Sequence, residues 1–266
     1  MKAIAFAITL ALAVMPVAPA GAQDAQLRVH AAGSLRAPLT ALAAEYERTK
    51  GTRIALTFGA SGLLRDRIAG GEAADVFASA NMEHPESLVK SGWSAKVVPF
   101  ARNQLCALVR PQVPLTTDNA LAVLLDPQWK LGTSTPKADP SGDYARELFR
   151  RADAVKPGSY AALSARALQL TGGPTSPPPP ADRNVYGVLA ANGDADIFLT
   201  YCTSTQQAVS EHPTLRSVRM PDTLRVGAVY GIASRRDAPE AAAAFVAFVL
   251  GPDGQRTLGR FGFDPP

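Results

Sequence analysis

The sequence predicts an α/β protein of two lobes, each a mainly parallel sheet flanked by helices, with a ligand cleft between the lobes. Three observations predict it. Short apolar runs alternate with helical patterns from the first hundred residues onward, which argues for parallel strands covered on both faces. Strand ends turn repeatedly into helices through corners of small polar residues. The chain is also long enough: 266 residues, 47% hydrophobic and 19% charged, can enclose two modest cores.

Residues 1–22 stand outside that fold. Lys2 is a short basic region, residues 3–15 are an apolar core interrupted by Thr9, and Ala20-Gly21-Ala22 offers small-x-small cleavage before Gln23. This pattern predicts a secretory leader cleaved near Ala22. The run is too short for a spanning helix, Pro16 and Pro19 interrupt it, and no other stretch approaches 18 apolar residues. A soluble, exported mature chain is expected.

Residues 27–32 (LRVHAA) read as a buried strand ending at Gly33-Ser34. The helix after it has Pro38 in its first turn and Leu39, Leu42 and Tyr46 on one face. The second strand, residues 53–58 (RIALTF), stops at Gly59-Ala60-Ser61-Gly62, and Leu63, Leu64 and Ile68 begin another helix. Ser61 stands at the N-cap or first turn, where a hydroxyl and free backbone N–H groups point the same way. Residues 74–79 form a third strand, followed by a short helix from His84 to Ser91. The pattern shifts near residues 99–103, so a crossover is expected there, with residues 23–101 and 224–266 in one lobe and 102–223 in the other. Residues 104–109 start the new strand set. After the short strand at residues 131–134, Asp139-Pro140-Ser141-Gly142 opens a helix carrying Leu148 and Phe149.

A helix expected over residues 159–170 leads into Pro177 to Pro180, a run that neither joins a sheet nor continues a helix and reads as an extended, exposed loop. Asp182 is a candidate cap for the helix through Val185 and Leu189. Residues 196–201 read as a buried strand ending at Tyr201. Strands at 215–220 and 224–233, an apolar helix at 239–250 and a last helix near 255–260 complete the chain.

The composition narrows the chemistry. The net charge is +4, or +3 without Lys2, but the basic residues are scattered without runs or aromatic interleaving; this reads as a solvated surface, not a nucleic-acid footprint. Cys106 and Cys202 leave two readings open, buried thiols or a disulfide permitted by export. Neither has a C-x-x-C partner, and no His or Cys cluster has metal-ligand spacing. There is no P-loop and no G-x-G-x-x-G. An exported serine hydrolase is the enzymatic rival, since Gly59-Ala60-Ser61-Gly62 approaches a nucleophile elbow. However, Leu63 stands where that motif needs glycine, and His30, His84 and His212 lie in no triad context.

The positive reading is a cleft of neutral donors without an enzymatic role. Ser34, Ser61 and Ser141 each stand at a helix start, and a fourth helix starts near Val185. Convergent helix starts supply N–H groups, hydroxyls and partial positive charge for a dehydrated anion.

The motifs at residues 31–35 (AAGSL), 58–63 (FGASGL), 74–80 (ADVFASA), 140–145 (PSGDYA), 193–196 (GDAD) with Thr200-Tyr201, and Gly262-Phe263 carry a resemblance over nearly the whole mature chain. The chain resembles the periplasmic molybdate-binding proteins of ABC importers, the ModA-like group of type II periplasmic binding proteins. The resemblance implies a monomeric periplasmic protein without a cofactor. It would close on a hinge over a tetrahedral oxyanion, molybdate or tungstate, and deliver it to a membrane permease. It also implies roles: Ser34 and Ser61 bind through hydroxyl and backbone N–H, Ser141 and Val185 through backbone N–H, and Tyr201 through its phenol. Ser141 departs from the family by its hydroxyl. The loop containing Pro177 to Pro180 is longer than the family's, and Thr200-Tyr201-Cys202-Thr203-Ser204 departs from its usual ending. An alternative is the same fold holding a sulfate-like or organic anion.

Overall fold

A computed structural model describes residues 26–179 and 183–266. The expected leader and the candidate cap Asp182 lie outside the described residues. The first unit follows the alternating pattern. Strand β1 (Leu27–Ala32) pairs in parallel with β2 (Ile54–Gly59) and with β3 (Val76–Ser79). Between them run α1 (Arg36–Lys50) and α2 (Ser61–Ala69). Leu39, Leu42, Ala43 and Tyr46 bury one face of α1 in the core of the first unit, the stripe that a 3.6-residue period produces. Helix α3 (Glu83–Lys90) follows β3.

The crossover expected near residues 99–103 is a single strand. Strand β4 (Val98–Val109) runs unbroken through it. The second unit comprises α4 (Ala120–Leu125), β5 (Leu131–Ser134), α5 (Pro140–Val155), α6 (Ser159–Arg166), β6 (Leu168–Thr171), α7 (Val185–Asn192), β7 (Ile197–Tyr201), α8 (Cys202–Glu211) and β8 (Arg216–Arg219). Strand β9 (Gly227–Ser234) then returns, and α9 (Glu240–Leu250) and α10 (Pro252–Arg260) pack on the first unit. Residues 98–104 of β4 pair antiparallel with β9, whereas Leu105–Val109 pairs with β7. One sheet therefore threads both cores, in the order β2-β1-β3-β9-β4-β7-β5-β6, with β8 paired to β4. Within each unit the central strands are parallel; β4 and β9 are the antiparallel links.

Three expectations are revised. The helix expected to reach residue 170 ends at Arg166, and Leu168–Thr171 becomes strand β6 because the open edge of β5 provides a parallel ladder for it. That pairing outweighs the local helix propensity of Ala-Leu-Gln-Leu. The strand expected from residue 224 begins at Gly227, after a 3₁₀ turn at Asp222–Leu224. Helix α8 was not expected, because Cys-Thr-Ser-Thr is a weak helix-forming start. The two cysteines are bridged: Cys106 on β4 is disulfide-bonded to Cys202 at the head of α8. Among the described residues no helix is long and apolar enough to cross a membrane.

Candidate ligand-binding site

The strand ends of both units face a cavity of about 350 Å³. Four of the five expected site residues, Ser34, Ser61, Val185 and Tyr201, line it together.

On the first wall the hydroxyls are held by the protein itself. Ser34 sits in a 3₁₀ turn (Gly33–Leu35) at the end of β1, with its Oγ 3.0 Å from Tyr230 Oη on β9. The Asn103 amide donates to Tyr230 Oη at 3.4 Å and to Thr203 Oγ1 at 2.8 Å. Tyr230, raised in pKa by burial, stays a neutral phenol; since its Oη already accepts from Asn103, its own proton is available to Ser34 Oγ, an arrangement that would leave the serine proton for a ligand. Ser61 is the first residue of α2, and its Oγ accepts the Ala80 N–H at 3.1 Å, so its own proton is likewise free to donate. As at any helix start, the Ser61 and Leu63 amides have no intrahelical acceptor.

The same corner touches the opposite unit. The Gly62 N–H donates to the Ala138 carbonyl at 2.8 Å. A Cβ on Gly62 would come within 2.4 Å of the Lys137 oxygen and 2.7 Å of the Ala138 oxygen, so the approach requires glycine. Lys137 takes a left-handed φ of 68°, and its N–H is bound by Asp143 Oδ1 at 2.9 Å. Tyr144 Oη donates to the Ala80 carbonyl at 3.4 Å, a second contact between the walls.

The second wall is less uniform. Val185 opens α7, whose cap Asn184 accepts the Gly187 N–H at 3.0 Å and thereby leaves the first two amides free. Asn184 is itself held by the Ser204 carbonyl and the Glu211 carboxylate. Tyr201, at the end of β7, is 2% exposed, and its phenol oxygen has no hydrogen-bond partner. Burial raises its pKa well above that of a free tyrosine, so it is a neutral donor without an acceptor. An unpaired buried hydroxyl costs about 1–3 kcal/mol unless something fills its place.

Ser141 is the site residue that the structure places differently. It is fully buried and does not line the cavity. Its N–H already donates to Asp139 Oδ1 at 3.0 Å, and its hydroxyl donates to Thr200 Oγ1 at 3.4 Å. Asp139 stands in front of it and lines the cavity. Burial, reinforced by the nearby Asp143 charge, pushes the Asp139 carboxyl up to about 6. Asp-Pro-Ser is legible in the sequence as a helix start; that Asp139 lines the cavity is not, since it depends on how α5 meets the other unit.

The loop containing Pro177 to Pro179 is not merely exposed: those prolines line the cavity, with Gly172, Gly173 and Pro174 beside them. Two cations also reach it. Arg36 lies 4.6 Å from the centre of the Phe58 ring, and Arg183 is paired with Glu211 at 3.5 Å and His212 at 3.0 Å. The hydrolase geometry is not assembled. Ser61 Oγ is bonded to the Ala80 amide, His30 Nε2 to Glu72 at 2.8 Å, and neither ring nitrogen of His84 has a partner.

Residues 27–264 match the family described as bacterial extracellular solute-binding protein. A protein of Pasteurella multocida whose function is uncharacterised is 38% identical over 213 residues, covering 78% of this chain and 86% of that one. A molybdate-binding protein, ModA, of Mycobacterium bovis is 27% identical over 252 residues, covering 90% of this chain and 84% of its own length. The periplasmic molybdate-binding protein of Azotobacter vinelandii shares the fold, with a TM-score of 0.73 at 20% identity over 90% of this chain and 99% of that one. The match over residues 27–264 places this chain in the bacterial extracellular solute-binding protein family, and its two-unit α/β fold is that of the type II periplasmic binding proteins.

Proposed function

We propose that this protein captures a tetrahedral oxyanion of the molybdate and tungstate kind and delivers it to the membrane permease of an ABC importer. The single observation that carries the reading is the set of uncommitted neutral donors at one cavity: the Ser34, Ser61 and Tyr201 hydroxyls with the first amides of α2 and α7. Such donors replace a hydration shell without a counter-cation and select by radius. The Mycobacterium bovis relative's name supports the choice of anion. Binding is the whole activity, with no catalytic step and no cofactor. In this reading residues 1–22 are a cleaved leader and the Cys106–Cys202 bridge is that of an exported chain. Residues 23–101 with 224–266, and 102–223, act as two lobes of a monomer that hinge on β4 and β9.

The test is calorimetric titration of ligand-stripped mature protein with molybdate and tungstate, with sulfate as competitor. Tight one-to-one binding that excess sulfate barely disturbs is expected. Absence of heat from folded protein would remove the oxyanion.

A second reading, an organic anion in the same cleft, is favoured by the size and lining of the cavity. About 350 Å³ bounded by Phe58, Leu63 and Pro177 to Pro179 lies within the range of small-molecule sites, roughly 300–1,000 Å³. Arg36 and Arg183 would suit a carboxylate or phosphate on such a ligand. A panel of organic anions, scored by thermal shift, separates the two readings.

A further inference from the structure

A carboxylate in the wall of an anion site is out of place electrostatically, and Asp139 is such a group. It lines the same cavity as Ser34, Ser61 and Tyr201. Among the described residues it has no ion-pair partner. The charged and titratable groups around it do not compensate. Asp143, one turn on along α5, is itself a carboxyl raised by burial. Tyr186 on α7 and Tyr201 on β7 are held neutral by burial, and each feels the Asp139 charge as a further rise. Lys137 is exposed and directs its backbone N–H to Asp143. Across the cavity, Arg183 is engaged by Glu211 and His212, and Arg36 by the Phe58 ring.

Asp139 is also fixed in place. Oδ1 accepts the Ser141 N–H, so the amide that α5 would offer to a ligand is consumed by this carboxyl. On the other side, a Cβ at Gly172 would fall 2.6 Å from Asp139 Cβ and Oδ2, so the chain lies directly against the group. It cannot swing away without losing its cap. A dianion brought against an ionised Asp139 would meet a like charge held in the wall of the cavity.

We propose that Asp139 is a specificity-determining residue and that the cleft binds a dianionic oxyanion together with one proton, carried on the Asp139 carboxyl. The proton comes from solvent. The carboxylate becomes a neutral acid, keeps its acceptor bond from Ser141, and donates its O–H to a ligand oxygen, replacing the amide donor it has covered. The pKa of about 6 in the ligand-free cleft is consistent with this, since it leaves the group within reach of protonation near neutrality. The inference rests on the oxyanion reading.

The test is titration with molybdate from about pH 6 to 8.5, for wild type and Asp139→Asn, each in two buffers of different ionisation heat. Asparagine keeps an oxygen for the Ser141 amide, and circular dichroism checks the fold. Wild-type affinity is expected to fall about tenfold per pH unit above pH 7, with close to one proton taken up at the alkaline end. Asp139→Asn is expected to bind with a flat profile and, at pH 8, up to about a hundredfold tighter than wild type. Molybdate binding by wild type with no pH dependence and no buffer-dependent heat would overturn proton-coupled capture while leaving the oxyanion reading intact. A variant weaker than wild type at every pH would also overturn it, because the carboxylate would then be accepting a proton that the ligand brings. No binding by either protein at any pH would remove both readings.

Discussion

The two walls of the cleft differ in how their donors are prepared. On the first, Ser34 and Ser61 are each held by a buried partner, Tyr230 and the Ala80 amide; Ser61 accepts and keeps its proton free, and Ser34 does the same where Tyr230 is the donor. On the second, Tyr201 has no partner, the α5 amide is taken by Asp139, and a proline-bearing loop closes the side. The serine oxygens of the first wall are positioned by protein partners, whereas the Tyr201 phenol of the second has none. On the proposed oxyanion reading, the contrast assigns affinity for oxyanions in general to the first wall and discrimination among them to the second, where the Tyr201 phenol and Asp139 are still to be matched.

The largest test of the second wall is its staple. The Cys106–Cys202 bridge closes a loop across 96 residues and ties β4 to the head of α8, immediately after Tyr201. In the chain-entropy view, Cys106→Ala with Cys202→Ala should cost about 4–5 kcal/mol in urea unfolding. If the first wall is independent, its contribution to binding should survive where the double variant still folds. A loss below about 1 kcal/mol would mean that packing of β4 against β7 alone holds this wall.

Gly62 joins the walls, and Gly62→Ala should separate them. The added Cβ meets two backbone oxygens that have no rotamer by which to yield. Overpacking of this kind costs about 1–3 kcal/mol, expected here as a lower melting temperature of the ligand-free protein together with affinity falling roughly 10–100-fold. Unchanged affinity would show that binding does not need the Gly62–Ala138 contact.

Next is the first wall alone. Ser61→Ala removes a proposed donor to the anion and leaves the buried Ala80 N–H without its acceptor. A bond to a charged ligand is worth about 1.5–3 kcal/mol, so affinity should fall on the order of tenfold or more, for every anion that binds. An equal loss for molybdate, tungstate and sulfate would sharpen the comparison, and a loss confined to one of them would break it.

How much of this was legible in the sequence follows the same division. The first wall was readable because its donors sit at local strand-to-helix corners, Gly33-Ser34 and Gly59-Ala60-Ser61-Gly62, where neighbouring residues set the geometry. The helix start near Val185 was also legible as local pattern, whereas the phenol of Tyr201 was reached through resemblance to a family. What escaped the sequence is long-range. Strand β6 exists because β5 has an open edge, and the pairing of Cys106 with Cys202 follows from β4 lying beside β7. Asp139 reads as an ordinary cap until α5 is set against the other unit, and only then does its carboxyl lie in the cleft. The proline-bearing loop is exposed, as the sequence reads it; that Pro177 to Pro179 also line the cavity depends on the fold.

The smallest expected effect is also the most diagnostic. Tyr201→Phe deletes a buried phenol oxygen that makes no hydrogen bond, while the ring contacts to Tyr144 at 6.1 Å and Tyr230 at 5.5 Å remain. Removing an unsatisfied polar atom should leave the ligand-free protein as stable or up to about 1 kcal/mol more stable, whereas removing a donor used by the ligand should weaken binding about tenfold. The two signs are opposed, and that opposition separates a ligand donor from a structural tyrosine. Thermal melts of the empty protein, beside titrations with molybdate, read both signs in one preparation. Lower stability with unchanged affinity would place Tyr201 in the core, and the second wall would then rest on Asp139, the α7 amides and the proline-bearing loop.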